Sequence, residues 1–386
     1  MMYSGRAHDF TPTILEVLRR HFGEEAEAVF QAGPLLAYLN IKTKAAHRGA
    51  KARAAFANHY ALYVVIEDYI QKGYLARTAD TAYAQYPGAR FSDLMRRQRS
   101  LPFGAKLQNH ALNARLNDEF RKFFPTLGIQ PIVRDVQAQR YWIQEDLLQV
   151  TVGRIDGIPV THNIAQAVLD IIDAYVATKK AAFEGFMETC RLMAELSVDD
   201  PQTAINFVNQ QLLPQVDARI FEIVSYAILK AQYSTKGVWI GESKDTVARE
   251  MLALYKTGRT NANDGGIDFV MKPLGRFFQV TETLDFHKYF LDIDKIQRFP
   301  ITFVVKSNES KDRIRADIYA QAVAIYHVEA VVKSYMDAIE EIITVTDLKT
   351  AFEEILEAGL LPNVMQEIIT QSKTEFNFED ELSNKT

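Results

Sequence analysis

The chain has 386 residues, of which 48% are hydrophobic and 24% are charged, a composition typical of globular proteins with sizeable cores. Its formal net charge is −5, which excludes a globally basic nucleic-acid binder but leaves room for a local basic surface. The single cysteine, Cys190, excludes an intrachain disulfide and a zinc site built from several cysteines.

Residues 1–10 lack the apolar run of a signal peptide. No uncharged stretch approaches the roughly 20 apolar residues that a membrane span needs. We therefore expect a cytoplasmic protein without a membrane partner.

The first half of the chain predicts mostly helices, because apolar residues recur there at helical spacing. These helices are expected at 11–22, 51–70, 109–124 and 164–196, with a connector at 197–202. The pattern then changes. Helices are predicted at 217–232, 250–255, 285–296, 314–343 and 348–372, and β-rich runs at 265–271, 276–283 and 300–305, the first two joined by a turn at 272–275.

This order of elements predicts a mixed α+β protein. We expect a largely helical N-terminal region at 1–200, a compact α/β core at 205–345 and a helical C-terminal extension at 346–386.

The run 263–270 combines glycines and aspartates ahead of a short apolar stretch. Gly265 and Gly266 allow the chain to turn sharply into a strand. Asp268 then stands between two apolar residues, so strand alternation predicts that its carboxylate lies on the opposite face from them. A carboxylate in this position is a natural ligand for a hard divalent cation. We therefore place the active site in 263–282, although Asp-Gly-Gly also occurs in ordinary turns.

Three further side chains extend this candidate site. Gln279, on the next strand, can offer a carbonyl oxygen to a metal or to water, or it can be an ordinary strand residue. Glu222 lies in an apolar helical segment, where a buried carboxylate needs a partner. Its alternative role is a helix carboxylate paired with Arg219, three residues earlier. Glu282 joins the site if its strand contains a bulge.

A helix glutamate, a strand aspartate, a hairpin and a polar position on the next strand resemble the restriction-endonuclease-like nuclease superfamily, of the PD-(D/E)xK type. The run Asp-Gly-Gly-Ile-Asp, followed later by Gln-Val, is similar to the Mrr-like branch, where glutamine replaces the second acid. Segments 38–44 and 254–306 resemble the ApaLI-like type II restriction enzymes, a similarity that covers nearly the whole chain. The resemblance implies a restriction-endonuclease-like α/β core and Mg²⁺-dependent DNA cleavage.

Residue by residue, the resemblance makes Asp268 the metal-binding aspartate, Gln279 the second acid position and Glu222 the helix glutamate. Glu282 is a further candidate metal ligand. The lysine position of the family falls on Thr281, which carries no charge, so the catalytic base is left open.

Nearby lysines can replace the missing one, and we predict that either Lys288 or Lys306 reaches the Asp268 site, with Lys306 preferred. Lys306 ends the third predicted strand, whereas Lys288 lies in the intervening helix; Lys272, in the turn, and Lys295 are weaker candidates.

Two basic runs and a third cluster are candidates for contacts to DNA. Each run can instead be a solvated helix face. Cations neutralise phosphates, and arginine and amide side chains read guanine and adenine edges. The candidates are Lys42, Lys44, Arg48, Lys51 and Arg53 in the first run, Arg96, Arg97, Arg99, Lys106 and Asn109 in the second, and Lys256, Arg259 and Asn261 just before the candidate metal site.

Together these interpretations predict a type II restriction endonuclease that cuts double-stranded DNA at a specific site. The helical region at 1–200 is then expected to recognise the DNA, and the core at 205–345 to be the nuclease. Palindromic sites favour a homodimer. One alternative is an Mrr-like nuclease that acts on modified or damaged DNA. The other is a catalytically inactive DNA-binding or scaffold protein with a nuclease-like core, which the threonine at position 281 makes plausible.

Overall fold

The structure is a computed structural model that describes residues 6–44, 46, 52–104, 107–257, 267–282, 284 and 286–376. Its chain forms two compact units, Met1–Glu184 and Gly185–Thr386, and each contains both helices and strands. The predicted mixed α+β class is thereby confirmed. None of the helices in the described ranges has the length and hydrophobicity that crossing a bilayer requires.

The first unit packs helices around one large apolar core, with short strands between them. A π-helical turn, Ala111–Arg115, leads into its sixth helix. In chain order, the elements are α1 (Thr11–Phe22), α2 (Ala26–Ala32), α3 (Pro34–Thr43), α4 (Ala52–Gln71), β1 (Ala89–Arg90), α5 (Phe91–Ser100), α6 (Leu116–Phe123), β2 (Ile132–Asp135), β3 (Arg140–Ile143), β4 (Gln149–Ile155), β5 (Ile158–Asn163) and α7 (Ala165–Asp199), which begins in this unit.

Two features of this half differ from the sequence prediction. Strands β2 to β5 form two hairpins inside a region predicted as helical. The second hairpin turns at Asp156 and Gly157, which have φ of 50° and 83°, as a two-residue hairpin loop requires. The predicted connector at 197–202 is almost entirely helical, because α7 continues to Asp199 and the next helix begins at Pro201.

The second unit contains the segments with the candidate nuclease residues. Strands predicted at 265–271, 276–283 and 300–305 correspond to its strands β9 (Phe269–Lys272), β10 (Arg276–Thr281) and β11 (Ile301–Val305), and the helix predicted at 285–296 corresponds to α10 (Phe286–Lys295). In chain order, the elements are α8 (Pro201–Gln210), α9 (Ala218–Ser234), β6 (Gly237–Ile240), β7 (Ala248–Met251), β8 (Ala253–Lys256), β9 (Phe269–Lys272), β10 (Arg276–Thr281), α10 (Phe286–Lys295), β11 (Ile301–Val305), α11 (Lys311–Tyr326), α12 (Glu329–Ala338), β12 (Ile339–Ile343), α13 (Val345–Glu357) and α14 (Leu361–Phe376).

The main sheet of this unit has five strands in the order β12-β11-β10-β9-β8. Strands β10, β11 and β12 are parallel, whereas β9 is antiparallel to both β10 and β8. The carboxyl ends of β8, β10, β11 and β12 therefore lie at the same edge as the amino end of β9. We call this the polar edge; its residues are Lys256, Asp268, Thr281, Glu282 and Lys306.

Helices cover both faces of the sheet. On one face, every second residue of β11 packs with α10, α11 and α12 in one apolar cluster; these residues are Ile301, Phe303 and Val305. On the other face, Tyr233 of α9 lies 5.9 Å from Phe278 of β10, and Tyr226 lies 5.0 Å from Phe269 of β9, ring centre to ring centre. Helices α13 and α14 pack against α9. The polar edge thus belongs to a sheet whose two faces are both covered by helices.

Two predicted helices of the second unit are wrong. Residues 250–255 form the end of β7 and most of β8, where Leu252 and Leu254 are buried and Tyr255 is exposed, the period of two that a strand requires. The helix predicted at 314–343 ends at Tyr326, because His327 takes a left-handed φ of 44°. Its last five residues form β12, which pairs with β11.

A substitution at Phe303 tests the packing of this sheet, because this side chain is 0% exposed and lies in the apolar cluster formed with α10, α11 and α12. We expect Phe303→Ala to lower the free energy of unfolding by about 3–5 kcal/mol, because it removes buried apolar contacts and leaves a cavity. Phe299→Ala, at a position 55% exposed, should cost less than about 1 kcal/mol. Urea unfolding followed by circular dichroism measures both, and equal losses would contradict the assigned layering.

Candidate functional site

Asp268 stands immediately before β9, and its main chain continues the sheet at the polar edge. Its N–H donates to the carbonyl oxygen of Phe278 at 2.8 Å, and its own carbonyl accepts from the N–H of Thr257 at 3.0 Å. Its carboxylate oxygen Oδ2 accepts from the N–H of Val280 at 2.7 Å. Asp268 is thereby bound to both residues that flank Gln279, so the two predicted site residues are neighbours.

The side-chain amide of Gln279 has one paired and one unpaired end. Its Nε2 donates to the carbonyl oxygen of Val280 at 3.2 Å, whereas its Oε1 is buried and lacks a hydrogen-bond partner within the described part of the chain. Gln279 pairs with Phe303, so its side chain lies on the face covered by α10. Leaving such an oxygen unpaired costs about 1–3 kcal/mol. A bound cation or proton donor would offset that cost.

Lys306 follows β11 directly, and its side chain is only 4% exposed. Its ammonium group donates to the carbonyl oxygen of Val216, just before α9, and lies 3.3 Å from Oε1 of Glu282. It also lies 5.5 Å from the centre of the Phe221 ring. Residues next to β10, β11 and the start of α9 therefore fix one positive charge at the polar edge.

Glu222 has a cationic partner, as its position in an apolar helix predicts. The partner is Lys256 at the end of β8, whose Nζ lies 2.7 Å from Oε1 of Glu222. Arg219, the alternative partner, bonds to Asp217 through its main-chain N–H and its guanidinium. Both Glu222 and Lys256 are largely buried on the α9 face, so Lys256 is engaged by a carboxylate where the sequence predicted a phosphate contact.

The remaining candidates of this region take different positions. Thr281, at the lysine position of the family, pairs with Val305 and is hydrogen-bonded through its side chain to Tyr289 of α10. Lys288 is exposed on α10, and Lys272 is exposed at the end of β9. Of the two lysines that the sequence analysis proposed as substitutes, Lys306 is therefore the one at the polar edge.

Magnesium is the cofactor that the family resemblance implies, and the oxygen donors present agree with its chemistry. Mg²⁺ is usually held by one or two carboxylates, together with waters and substrate phosphates. Asp268 offers a carboxylate and Gln279 an unpaired buried carbonyl oxygen. Within the described ranges, no three His, Cys, Asp or Glu side chains gather into a metal-binding group. Of the two further predicted ligands, Glu222 is bound by Lys256 on the α9 face, and Glu282 lies 3.3 Å from the ammonium group of Lys306.

Lys42, from the first basic run, belongs to a polar network inside the first unit. Its Nζ lies 2.7 Å from Oε2 of Glu119, and Nε of Arg115 lies 3.2 Å from Oε1 of the same carboxylate. Asn58 is fully buried and donates to Glu119 and to the hydroxyl of Tyr38, each at 2.8 Å. Lys42 therefore neutralises an internal carboxylate, and a DNA phosphate would have to compete with Glu119 for it.

The second basic run is only partly available to a ligand. Arg97 makes two hydrogen bonds of 2.7 Å to the carboxylate of Glu67, and Arg99 donates to a main-chain carbonyl oxygen at 3.2 Å. The side chain of Arg96 is 78% exposed and lies 3.4 Å from Asp93. Arg96 is consequently more exposed than Arg97, whose side chain is 44% exposed.

Two other candidates for DNA contact, Lys44 and Asn109, are exposed. The rest lie outside the described residues: Arg48, Lys51, Lys106, Arg259 and Asn261, together with the side chain of Arg53. The Gly-rich turn at 263–266, ahead of Asp268, also lies outside them.

Comparisons of the chain with protein-family models, with curated proteins and with solved structures find no match.

The network around Glu119 generates a pH prediction. Burial raises the pKa of this carboxyl, but the hydrogen bonds and charges of Lys42 and Arg115 outweigh burial and hold the pKa below its ordinary value of 4.5. The ionised carboxylate therefore stabilises the folded state above that pH, and the contribution is lost as the pH falls through the folded pKa.

We accordingly expect Glu119→Gln to lower the free energy of unfolding by about 1–3 kcal/mol near neutral pH, because two cations lose a charged acceptor. The difference from the wild type should shrink in acid. Denaturant unfolding across a pH series measures this, with Asp118→Asn, an exposed neighbour on the same helix, as the matched control. A difference independent of pH would contradict the assigned charge state.

Proposed function

We propose that this protein is a metal-dependent endonuclease that cuts double-stranded DNA. The observation that supports this most directly is the pairing of Asp268 with Gln279, whose buried carbonyl oxygen has no partner in the described part of the chain. This is the aspartate–glutamine pair that the sequence resemblance makes the metal-binding centre. Asp268 and the ammonium group of Lys306 both lie at the polar edge of the sheet, an arrangement that agrees with phosphodiester chemistry.

In this proposal the polar edge binds a phosphate and a magnesium ion together. Asp268 and Gln279 hold the ion, which when bound stabilises the negative charge that develops during hydrolysis. Lys306 keeps a positive charge at the same edge, because Val216 and Glu282 restrict its ammonium group. That charge orients a phosphate oxygen or a water molecule, the role that the lysine of the family would otherwise have.

Specific cleavage of a palindromic site would require a homodimer. Arg96, Lys44 and Asn109 are the exposed, described members of the predicted DNA-binding set in the first unit, and in this proposal they contact the DNA. The net charge of −5 requires such contacts to be local, since the protein as a whole repels phosphate.

Digestion of plasmid DNA with Mg²⁺ tests the proposal. Discrete fragments from unmodified plasmid would support a type II restriction endonuclease, and mapping their ends would identify the site. Cleavage confined to methylated plasmid would favour the Mrr-like alternative instead. DNA binding without cleavage under both conditions would reject the enzyme and leave a DNA-binding protein.

Asp268→Ala should abolish cleavage and leave DNA affinity within about fivefold, because phosphate contacts elsewhere supply most of the binding energy. Asp245→Ala, which removes an exposed carboxylate of the same unit, is the control and should cut normally. Plasmid nicking and fluorescence anisotropy measure the two properties. Full activity of Asp268→Ala would rule out the proposed centre.

Lys306→Met should slow single-turnover cleavage about a hundredfold or more, as expected for loss of a charge-stabilising or proton-transferring group. Lys288→Met should cut at close to the wild-type rate, since Lys288 is exposed on α10. Because Lys306 is buried, melting temperatures and the variant Lys306→Arg check that the fold survives. If both lysine-to-methionine variants keep wild-type rates, neither lysine replaces the one missing at Thr281.

A further inference from the structure

The first unit contains a cavity of about 570 Å³ that the candidate nuclease centre does not use. It is lined by residues from the end of α4, the segment that follows this helix, and the β4–β5 hairpin. Tyr69 is buried, whereas Tyr74 and Tyr83 are half-buried. A volume of this size accommodates a small organic molecule.

Tyrosine rings give the cavity an electron-rich wall. The ring centre of Tyr74 lies 4.7 Å from that of Tyr83 in an edge arrangement, and 5.7 Å from that of Tyr69 in a stacked one. Tyr83 is anchored by a hydroxyl bond of 2.8 Å to the carbonyl oxygen of Ile143. The π-faces of tyrosine rings carry negative charge density, which attracts cations.

The charged groups of the cavity are mainly acidic. Asp80, Glu145 and Asp146 line it, and Arg77 is the one cationic side chain among the described residues that do so. No ion pair to any of the three carboxylates occurs within the described ranges. The lining therefore contains three carboxylates and one guanidinium group, which gives it an excess of negative charge beside the rings.

Glu145 is positioned at the inner end of this acidic lining. Its Oε1 accepts a hydrogen bond of 2.9 Å from the hydroxyl of Tyr69, which in turn accepts one of 3.1 Å from Nδ2 of Asn163. The carboxylate is half-buried, so it is poorly solvated and would gain from a cation in the cavity. The chain of hydrogen bonds fixes its orientation before any ligand arrives.

We propose that this cavity binds an organic cation with an alkylated ammonium group. The rings contact the alkyl groups that surround the charge, and the carboxylates complement the charge itself. The same negative charge repels phosphates, so the cavity does not bind nucleotides or the backbone of DNA. The ligand is either a free molecule or an alkylated lysine side chain of a peptide, which share this chemistry.

Calorimetric titration of the full chain with choline tests the inference. The neutral isostere 3,3-dimethylbutan-1-ol is the matched control, because it has the same shape without the charge. We expect saturable binding of choline and at least about threefold weaker binding of the isostere. Parallel titrations with a trimethyl-lysine peptide and with deoxycytidine monophosphate distinguish a peptide ligand from a nucleotide.

Glu145→Gln and Tyr74→Leu should each weaken choline binding by at least about threefold, since one removes a charge and the other a ring. Asp156→Asn, an exposed acid in the β4–β5 turn outside the cavity, should bind like the wild type. Circular dichroism confirms that each variant is folded, and Asp80→Asn gives a second, exposed carboxylate variant.

Three outcomes would overturn the proposal. They are the absence of saturable binding for both choline and the peptide, equal affinity for choline and its neutral isostere, and preference for the nucleotide over choline.

Discussion

Strand β11 is buried on both faces, and the arrangement of the second unit depends on that burial. Every residue from Ile301 to Val305 is inaccessible to solvent, so helices must cover the sheet on both sides. The parallel pairing of β11 with β10 and β12 brings their carboxyl ends to one edge. The polar residues that precede or follow these strands therefore lie at that edge, where the candidate site is found.

Each polar group near this edge is stabilised in a different way. Lys306 is bound by a main-chain carbonyl oxygen and a carboxylate, and Glu222 is bound by Lys256. The carbonyl oxygen of Gln279 differs from them, because it is buried without a partner in the described chain. A ligand that bound this oxygen would satisfy it and thereby stabilise the protein.

Charge is distributed unevenly in the candidate DNA-binding region. Lys42 and Arg97 look available in the sequence, but each is occupied by a carboxylate, Glu119 and Glu67 respectively. Such pairing agrees with a net charge of −5, since acidic residues outnumber basic ones. Among the paired cations of the second basic run, Arg96 keeps most of its side-chain surface exposed. The capacity of a run to bind DNA therefore depends on the exposure of each cation more than on the number of basic residues.

The sequence by itself determined the mixed fold class, the three strands β9 to β11, the helix α10 between them and the proximity of Asp268 to Gln279. These depend on local periodicity and on a short hairpin, which are visible in neighbouring residues. Local signals were also present for the β4–β5 hairpin, where Asp156-Gly157 is a strong turn pair. The prediction of a helical N-terminal half missed that signal.

Only the tertiary structure decided which distant residues meet. Strand β12 forms because β11 offers it a parallel edge, although the residues before it are helical, and propensity within the segment does not reveal that partner. The Glu222–Lys256 and Lys42–Glu119 pairs join residues 34 and 77 positions apart in the chain, so no short spacing indicates them. Burial removes these side chains from water, and a buried charge must then find an opposite charge wherever the fold places one.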